Sequence, residues 1–332
     1  MIRRRAGRIA IAVVIQSVPD HSGASAPDYR HTALFYAGEE EFVRRTAHFI
    51  RAGIPRREPT LVVVSSEKID RLRHELGPDG AGVHYADMSD VGSNPARIIP
   101  AWQEFIDAHP GRQLRGVGEP IHPERDAAEL IECQHHERLL NLALADSTLF
   151  LVCPYDTTAL LAAVIAEANH SHPLIAGEHA EHISAEYAGA HSCGDLLTAP
   201  LPEPAPSPEP IHFGLGDLGT VRGLVESTAT RAGLDEARSQ DLVMAVNELA
   251  TNSVRHGGGE GHVRLWSEPG GLICEVRDRG TIADPLAGRR RPSGEHRGGY
   301  GLWLANGLCD LVQVRTGPGL SIVRVHMRIG RP

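Results

Sequence analysis

Near the C-terminus, Glu248, Asn252 and His256 stand four residues apart in Asn247-Glu248-Leu249-Ala250-Thr251-Asn252-Ser253-Val254-Arg255-His256-Gly257. Residues four apart on an α-helix drift by only about 40° per step, so these three share one face. Leu242, Val246, Leu249 and Val254 recur at helical spacing and form the other face. A carboxylate, a carboxamide and an imidazole in a row suit a nucleotide and its magnesium ion. Two glycine-bearing segments follow, Asp278-Arg279-Gly280 and Gly298-Gly299-Tyr300-Gly301-Leu302. The first offers a carboxylate for a base, the second a phosphate-binding turn.

The surrounding pattern predicts what must hold these residues. Helix signals cover 217–232 and 235–256. Val263-Arg264-Leu265-Trp266 and Leu272-Ile273-Cys274-Glu275-Val276 flank Pro269-Gly270-Gly271, a hairpin signal. A short helix over 301–309 precedes a second pair of strands, Val312-Gln313-Val314-Arg315 and Ser321-Ile322-Val323-Arg324-Val325, around Gly317-Pro318-Gly319. The expected C-terminal fold is an α+β two-layer sandwich, with helices on one face of a mixed or antiparallel sheet.

Upstream, Ala199-Pro200-Leu201-Pro202-Glu203-Pro204-Ala205-Pro206-Ser207-Pro208-Glu209-Pro210 favours polyproline II and predicts a semi-rigid spacer. The division expected is a disordered leader over 1–27, a domain over 28–195, a linker over 196–210 and a domain over 211–330. In the first domain, buried-strand runs such as Thr60-Leu61-Val62-Val63-Val64 and Leu149-Phe150-Leu151-Val152-Cys153 alternate with helical patterns at 39–52, 67–76, 95–109, 124–145 and 157–169. Strands are also expected at 83–86 and 114–118. That alternation predicts an α/β domain with a mostly parallel sheet.

Composition narrows the function. At 332 residues and 41% hydrophobic, the chain can form two cores. A net charge of −9 and 5% aromatics argue against a nucleic-acid surface. Arg3-Arg4-Arg5 and Arg289-Arg290-Arg291 are too short to change that. The five cysteines, Cys133, Cys153, Cys193, Cys274 and Cys309, form no Cys-x-x-Cys and suit reduced thiols in the cytoplasm. The apolar run 9–15 lacks a clean cleavage site, and no stretch is long enough to cross a membrane.

With these motifs in order, residues 211–330 resemble the ATP-binding domain shared by gyrase, heat-shock chaperones, histidine kinases and mismatch-repair proteins. They look most like the bacterial anti-sigma factor serine/threonine kinases. The resemblance implies that Asn252 holds magnesium and that Glu248 orients or deprotonates the attacking hydroxyl. It implies that Asp278 accepts the adenine amino group, with Gly280 admitting the base. Gly299, Gly301 and Leu302 belong to the phosphate turn, and His256 and Arg255 to its surroundings. Residues 282–297 would form a lid over ATP, to which Arg289, Arg290, Arg291 and Arg297 could bring positive charge; a solvated basic loop is the plainer alternative. For the constellation itself, the plainer alternative is an amphipathic helix and two turns. A histidine kinase would need a phosphoacceptor helix pair where the proline segment stands. Thr281-Ile282-Ala283-Asp284-Pro285 replaces that class's second glycine, and Asp284-Pro285 is typical of the anti-sigma branch.

Residues 31–173 resemble the MEDS sensory domain of methanogen and methylotroph regulators, through Phe35-Tyr36, Gly118-Glu119-Pro120, Glu137 with Asn141, and Cys153-Pro154-Tyr155-Asp156. That family is related in fold to RecA/KaiC-like nucleotide-binding proteins. No Gly-x-x-x-x-Gly-Lys-Ser/Thr occurs, and Ala37-Gly38-Glu39-Glu40-Glu41 is acidic where a phosphate cradle needs donors, so no ATP hydrolysis is expected in this half. Glu119, Glu137 and Asn141 either converge on a small ligand or form a buried polar network. Cys153 reads as a core thiol. His135-His136, His170-Ser171-His172, His179, His182, His191 and Cys193 could bind metal but lack firm ligand spacing.

The sequence thus predicts a signalling regulator that uses ATP and Mg2+. It would phosphorylate or sequester a partner, an anti-sigma-factor antagonist or a sigma factor, and a homodimer stays open. The alternatives are a non-catalytic ATP-binding switch and an atypical sensor histidine kinase.

Overall fold

Thr60–Val64 (β2) is buried at every position, as a strand covered on both faces requires. The computed structural model describes residues 29–178, 180–189, 197–292 and 299–330. The expected leader, His179, His191, Cys193 and Arg297 lie outside them. Around β2 the order is β1 (Arg30–Tyr36), α1 (Glu39–Gly53), β2, α2 (Ser66–Leu76), β3 (Val83–Asp87), α3 (Met88–Val91), α4 (Ile98–Asp107), β4 (Leu114–Gly118), α5 (Ala127–Ala143), β5 (Leu149–Asp156), α6 (Ala162–Ser171), β6 (Leu174–Ala176) and β7 (Glu181–Ile183).

These strands form one sheet in the order β3-β2-β4-β5-β1-β6-β7. All pairs are parallel except β6 with β7. One core, with Trp102, Leu140 and Leu151, lies on one side of the sheet, and a second, with Phe42, Ile50 and Leu72, on the other. The mostly parallel α/β expectation therefore holds, with an antiparallel edge hairpin that the sequence reading did not foresee.

A second sheet follows. β8 (Ile211–Gly214), α7 (Leu218–Ala232), α8 (Glu236–His256), β9 (Glu260–Glu268), β10 (Gly271–Asp278), α9 (Tyr300–Leu308), β11 (Leu311–Gly317) and β12 (Leu320–Arg328) complete the described chain. The strand order is β11-β12-β10-β9-β8, antiparallel throughout. Leu242, Val246 and Leu249 of α8 pack with Leu272, Cys274 and Val276 of β10 in a single core. Asp235 caps α8, its side chain accepting from the Arg238 amide. This is the expected two-layer α+β arrangement, with β8 as an extra edge strand.

The proline segment is not a free spacer. Leu201 is buried, Glu203 pairs with Arg264 and Arg277, and the Ala199 carbonyl accepts from Arg315 Nε at 2.9 Å. It lies on the polar side of the second sheet, where the buried Glu275 carboxylate binds Arg264, Arg277 and Arg324. Alternating arginines on these strands give the linker an ionic seat.

Candidate nucleotide site and the sensor contact

Asp278 ends β10 beside the last turn of α8. The Ser253 hydroxyl donates to Asp278 Oδ2 at 2.6 Å, and the Gly280 amide donates to Asp278 Oδ1 at 2.7 Å. Each oxygen keeps a lone pair for a further donor. A Cβ on Gly257 would fall 2.4 Å from Asp278 Cγ, so only glycine there lets the strand end approach the helix. A Cβ on Gly280 would lie 2.9 Å from Asp278 Oδ1 and 3.1 Å from the His256 carbonyl.

Asn252 lies one turn before His256 on α8. Gly301, in the first turn of α9, sits against it: a Cβ there would come 2.4 Å from Asn252 Nδ2. Gly299 caps α9 with φ 93°, a left-handed conformation that favours glycine. Thus Asp278 with Gly280, and Asn252 with Gly301, meet along the C-terminal half of α8. Glu248 is half-buried one turn earlier, Leu302 is half-buried on α9, and His256 and Arg255 are exposed. An acceptor carboxylate, a neutral amide oxygen and glycines at a helix N-terminus fit a nucleotide with its metal. Sequence reasoning missed Ser253 and Gly257, although both flank residues it named.

Gly301→Ala follows directly. The added methyl must displace Asn252, while alanine suits a helix start. ATP affinity is expected to fall about tenfold, the cost of one disturbed hydrogen bond to a charged group. A calorimetric titration on the folded variant checks it, and unchanged affinity would separate Asn252 from the nucleotide.

The segment expected to form the lid, described as far as Pro292, differs from expectation. Leu286 is 1% exposed and belongs to the first domain's core. Arg289 is buried and donates to Glu132 Oε2 at 2.8 Å, while Arg315 of β11 donates to Glu132 Oε1 at 3.0 Å. Arg290 donates to the Leu142 and Ala143 carbonyls at the end of α5. So neither a polyphosphate clamp nor a solvated loop describes Arg289: it is an inter-domain anchor. Burial pushes the Glu132 carboxyl up, but His135, Arg289 and Arg315 outweigh it and hold it down at about 2. Asn94 extends the seam, its amide donating to Asn306 and to the Cys309 carbonyl, while Asn306 donates to the Gly288 carbonyl at 3.0 Å.

In the first domain, Glu119 bonds a different set of side chains from Glu137 and Asn141. Its oxygens accept from Lys68 at 2.6 Å, and one also accepts from Tyr36. Glu137 and Asn141 instead meet His31. His182 lies exposed on β7. Among the described residues no helix is long and apolar enough to cross a membrane.

Fold and residues together define a histidine kinase-like ATPase domain behind a sensory domain. The model of the histidine kinase-like ATPase domain matches residues 213–327, and that of the methanogen/methylotroph, DcmR sensory domain matches residues 30–173. The serine-protein kinase RsbW of Listeria monocytogenes serotype 4a is 31% identical over 144 residues, covering 39% of this chain and 85% of that protein. RsbW of Listeria innocua serovar 6a gives the same figures. Through its C-terminal part, this chain belongs to the RsbW family. The crystal structure of the RsbU and RsbW domains of Rv1364c from Mycobacterium tuberculosis aligns with 22% identity and a TM-score of 0.29, covering 37% of this chain and 33% of that one.

Proposed function

We propose that this chain is a cytoplasmic, sensor-coupled protein serine/threonine kinase of bacterial signalling. Residues 28–195 sense, 196–210 link and 211–330 bind ATP with magnesium. The observation that carries the coupling is the lid segment itself, whose Leu286 and Arg289 are buried in the sensory domain. A change around α5 would then be felt at the nucleotide site.

Bound ATP with its metal supplies the transferable phosphoryl group and neutralises its charge. Asn252 would hold the metal through its amide oxygen. Asp278, fixed by Ser253 and Gly280, would accept from the base. The amides at the start of α9, with Gly299 and Gly301, would face phosphate. Glu248 would take the proton from the attacking serine or threonine hydroxyl. The partner proposed is an anti-sigma-factor antagonist, the kinship being to serine-protein kinases.

Asn252→Ala and Asp278→Asn should each weaken ATP binding roughly ten- to hundredfold, as expected for a lost hydrogen bond to a charged group. Calorimetry on the folded full-length variants measures this; parental affinity in both would refute the assigned roles. Transfer from labelled ATP to a serine or threonine of a candidate antagonist tests the kinase reading. Binding without transfer, with every captured partner, would favour a sequestering switch, and acid-labile label on histidine a histidine kinase.

A further inference from the structure

Far from the nucleotide residues, four side chains with metal-ligand chemistry meet inside the sensory domain. His31 comes from β1, Cys153 from β5, Glu137 from α5, and His172 from the residue after α6. Ala33 lies opposite Cys153 in the parallel register, so His31 and Cys153 share one face of the sheet. That face is covered by α5. All four residues are buried, and one ligand atom from each lies within 4.8 Å of all the others.

The separations are informative. His31 Nε2 lies 3.1 Å from Glu137 Oε2 and 3.3 Å from Cys153 Sγ. His172 Nε2 lies 3.2 Å from the same Glu137 oxygen. Bonds of about 2.0–2.3 Å around a tetrahedral zinc place neighbouring ligand atoms roughly 3.3–3.6 Å apart. Three edges of the cluster are already near that length.

The outer hydrogen bonds fix which nitrogens face inward. The Asn141 amide group donates to the Ser171 carbonyl at 2.7 Å, which turns Asn141 Oδ1 toward His31 Nδ1 at 3.0 Å. His31 Nδ1 is therefore the donor. His172 Nδ1 faces the Ala168 carbonyl at 2.8 Å and must also donate. With Nδ1 donating, a neutral ring carries its lone pair on Nε2, on the side of Glu137. Of the four cluster members, only the weak Cys153 S–H then offers a proton to the inward-facing acceptors. Glu137 Oε1 and His172 Nε2 are buried without any hydrogen bond, and so is the Tyr155 hydroxyl. Such unsatisfied groups call for a missing partner. Histidines held at Nδ1 by an amide or carbonyl oxygen, with Nε2 turned inward, match the outer sphere of metal sites.

We propose that His31, Glu137, Cys153 and His172 form a closed four-ligand site for a divalent transition-metal ion, with zinc the best match to the ligand types. On binding, the Cys153 thiol releases one proton and the thiolate bonds the metal. The carboxylate and thiolate then balance the two positive charges, leaving the buried site neutral. The sequence hides this set because its members lie on four elements.

The test uses the full chain, reduced, stripped with a chelator and titrated with Co2+ as a probe and then with Zn2+. One metal per chain is expected, with a thiolate-to-cobalt charge-transfer band that Zn2+ abolishes. Cys153→Ser should lose that band. His172→Gln should weaken binding by more than about a hundredfold, since outer-sphere changes alone cost about 10–100-fold. His170→Gln, in the last turn of α6 but outside the cluster, should bind like the parent. A parent chain that takes up no metal would overturn the proposal and leave a proton-sharing network. Stoichiometric cobalt without the thiolate band would overturn it too, by placing the metal elsewhere. If Cys153→Ser fails to fold, Cys193→Ser, which removes the other histidine-flanked thiol, should keep the band, and its loss there would overturn the proposal.

Discussion

Glu132→Gln is expected to uncouple the sensory domain from the ATPase lid. Glu132 is 1% exposed and is the shared carboxylate of Arg289 and Arg315. Glutamine keeps the volume but leaves two buried guanidinium groups without their counter-charge. Removing one partner of a buried ion pair typically costs about 3–5 kcal/mol. The lid should then loosen from the sensory domain, because Arg290 is tied to α5 only through backbone carbonyls and Leu286 is the remaining contact with the first domain's core, while Asn306 still holds the Gly288 carbonyl. Hydrogen exchange across 284–292 should rise by about two orders of magnitude or more, while exchange in β2 and β10 stays slow. Parental exchange across 284–292 would mean that the ion pair does not hold the lid. The pH dependence runs the same way. The Glu132 carboxyl is depressed to about 2 in the folded chain, against about 4.3 for a free glutamate. Its contribution is therefore present above about pH 4.3 and fades as pH falls toward 2, so acid should release the lid of the parent chain, while Glu132→Gln, lacking this carboxyl, should show no matching change.

The juxtaposition of the proposed nucleotide residues was legible in the sequence because its geometry is local. Glu248, Asn252 and His256 are fixed relative to one another by one helix, and Asp278 with Gly280 by one strand end. The parallel and antiparallel sheets were legible for a similar reason: continuous apolar runs mark β2 and β5, and glycine turns mark the hairpins. What stayed hidden depends on distant contacts. Glu132 is 157 residues from Arg289 and 183 from Arg315, and His31 is 106 from Glu137. α5 shows why patterning fails there. Glu129, Glu132, His135, His136 and Glu137 are all buried, so a face that reads as solvent-exposed is covered by the second domain and by the histidine cluster. Arg264, Glu275, Arg277 and Arg324 mislead in the same way, because the proline segment lies over them. Short β6, β7 and β8 carry too few residues to show a period.

Glu248→Gln should separate nucleotide binding from chemistry. The residue sits half-buried on α8 between Val246 and Leu249, both of which belong to the core of the second domain. Glutamine matches glutamate in size, so that packing should survive. The amide cannot accept a proton from an attacking hydroxyl, however. Loss of a positioned general base should lower phosphoryl transfer about 10²–10⁴-fold. ATP affinity should stay near the parental value, because Asn252, Asp278, Gly280 and Gly301 lie along the C-terminal half of the helix and at other elements. Single-turnover phosphorylation of a captured partner, beside a binding titration, measures both. Unchanged transfer would remove Glu248 from the proton step and leave catalysis to positioning and charge. A parallel fall in binding and transfer would instead make Glu248 a structural support for Asn252. Only the split, transfer lost and binding kept, agrees with a carboxylate one helical turn upstream acting on the hydroxyl rather than on the nucleotide.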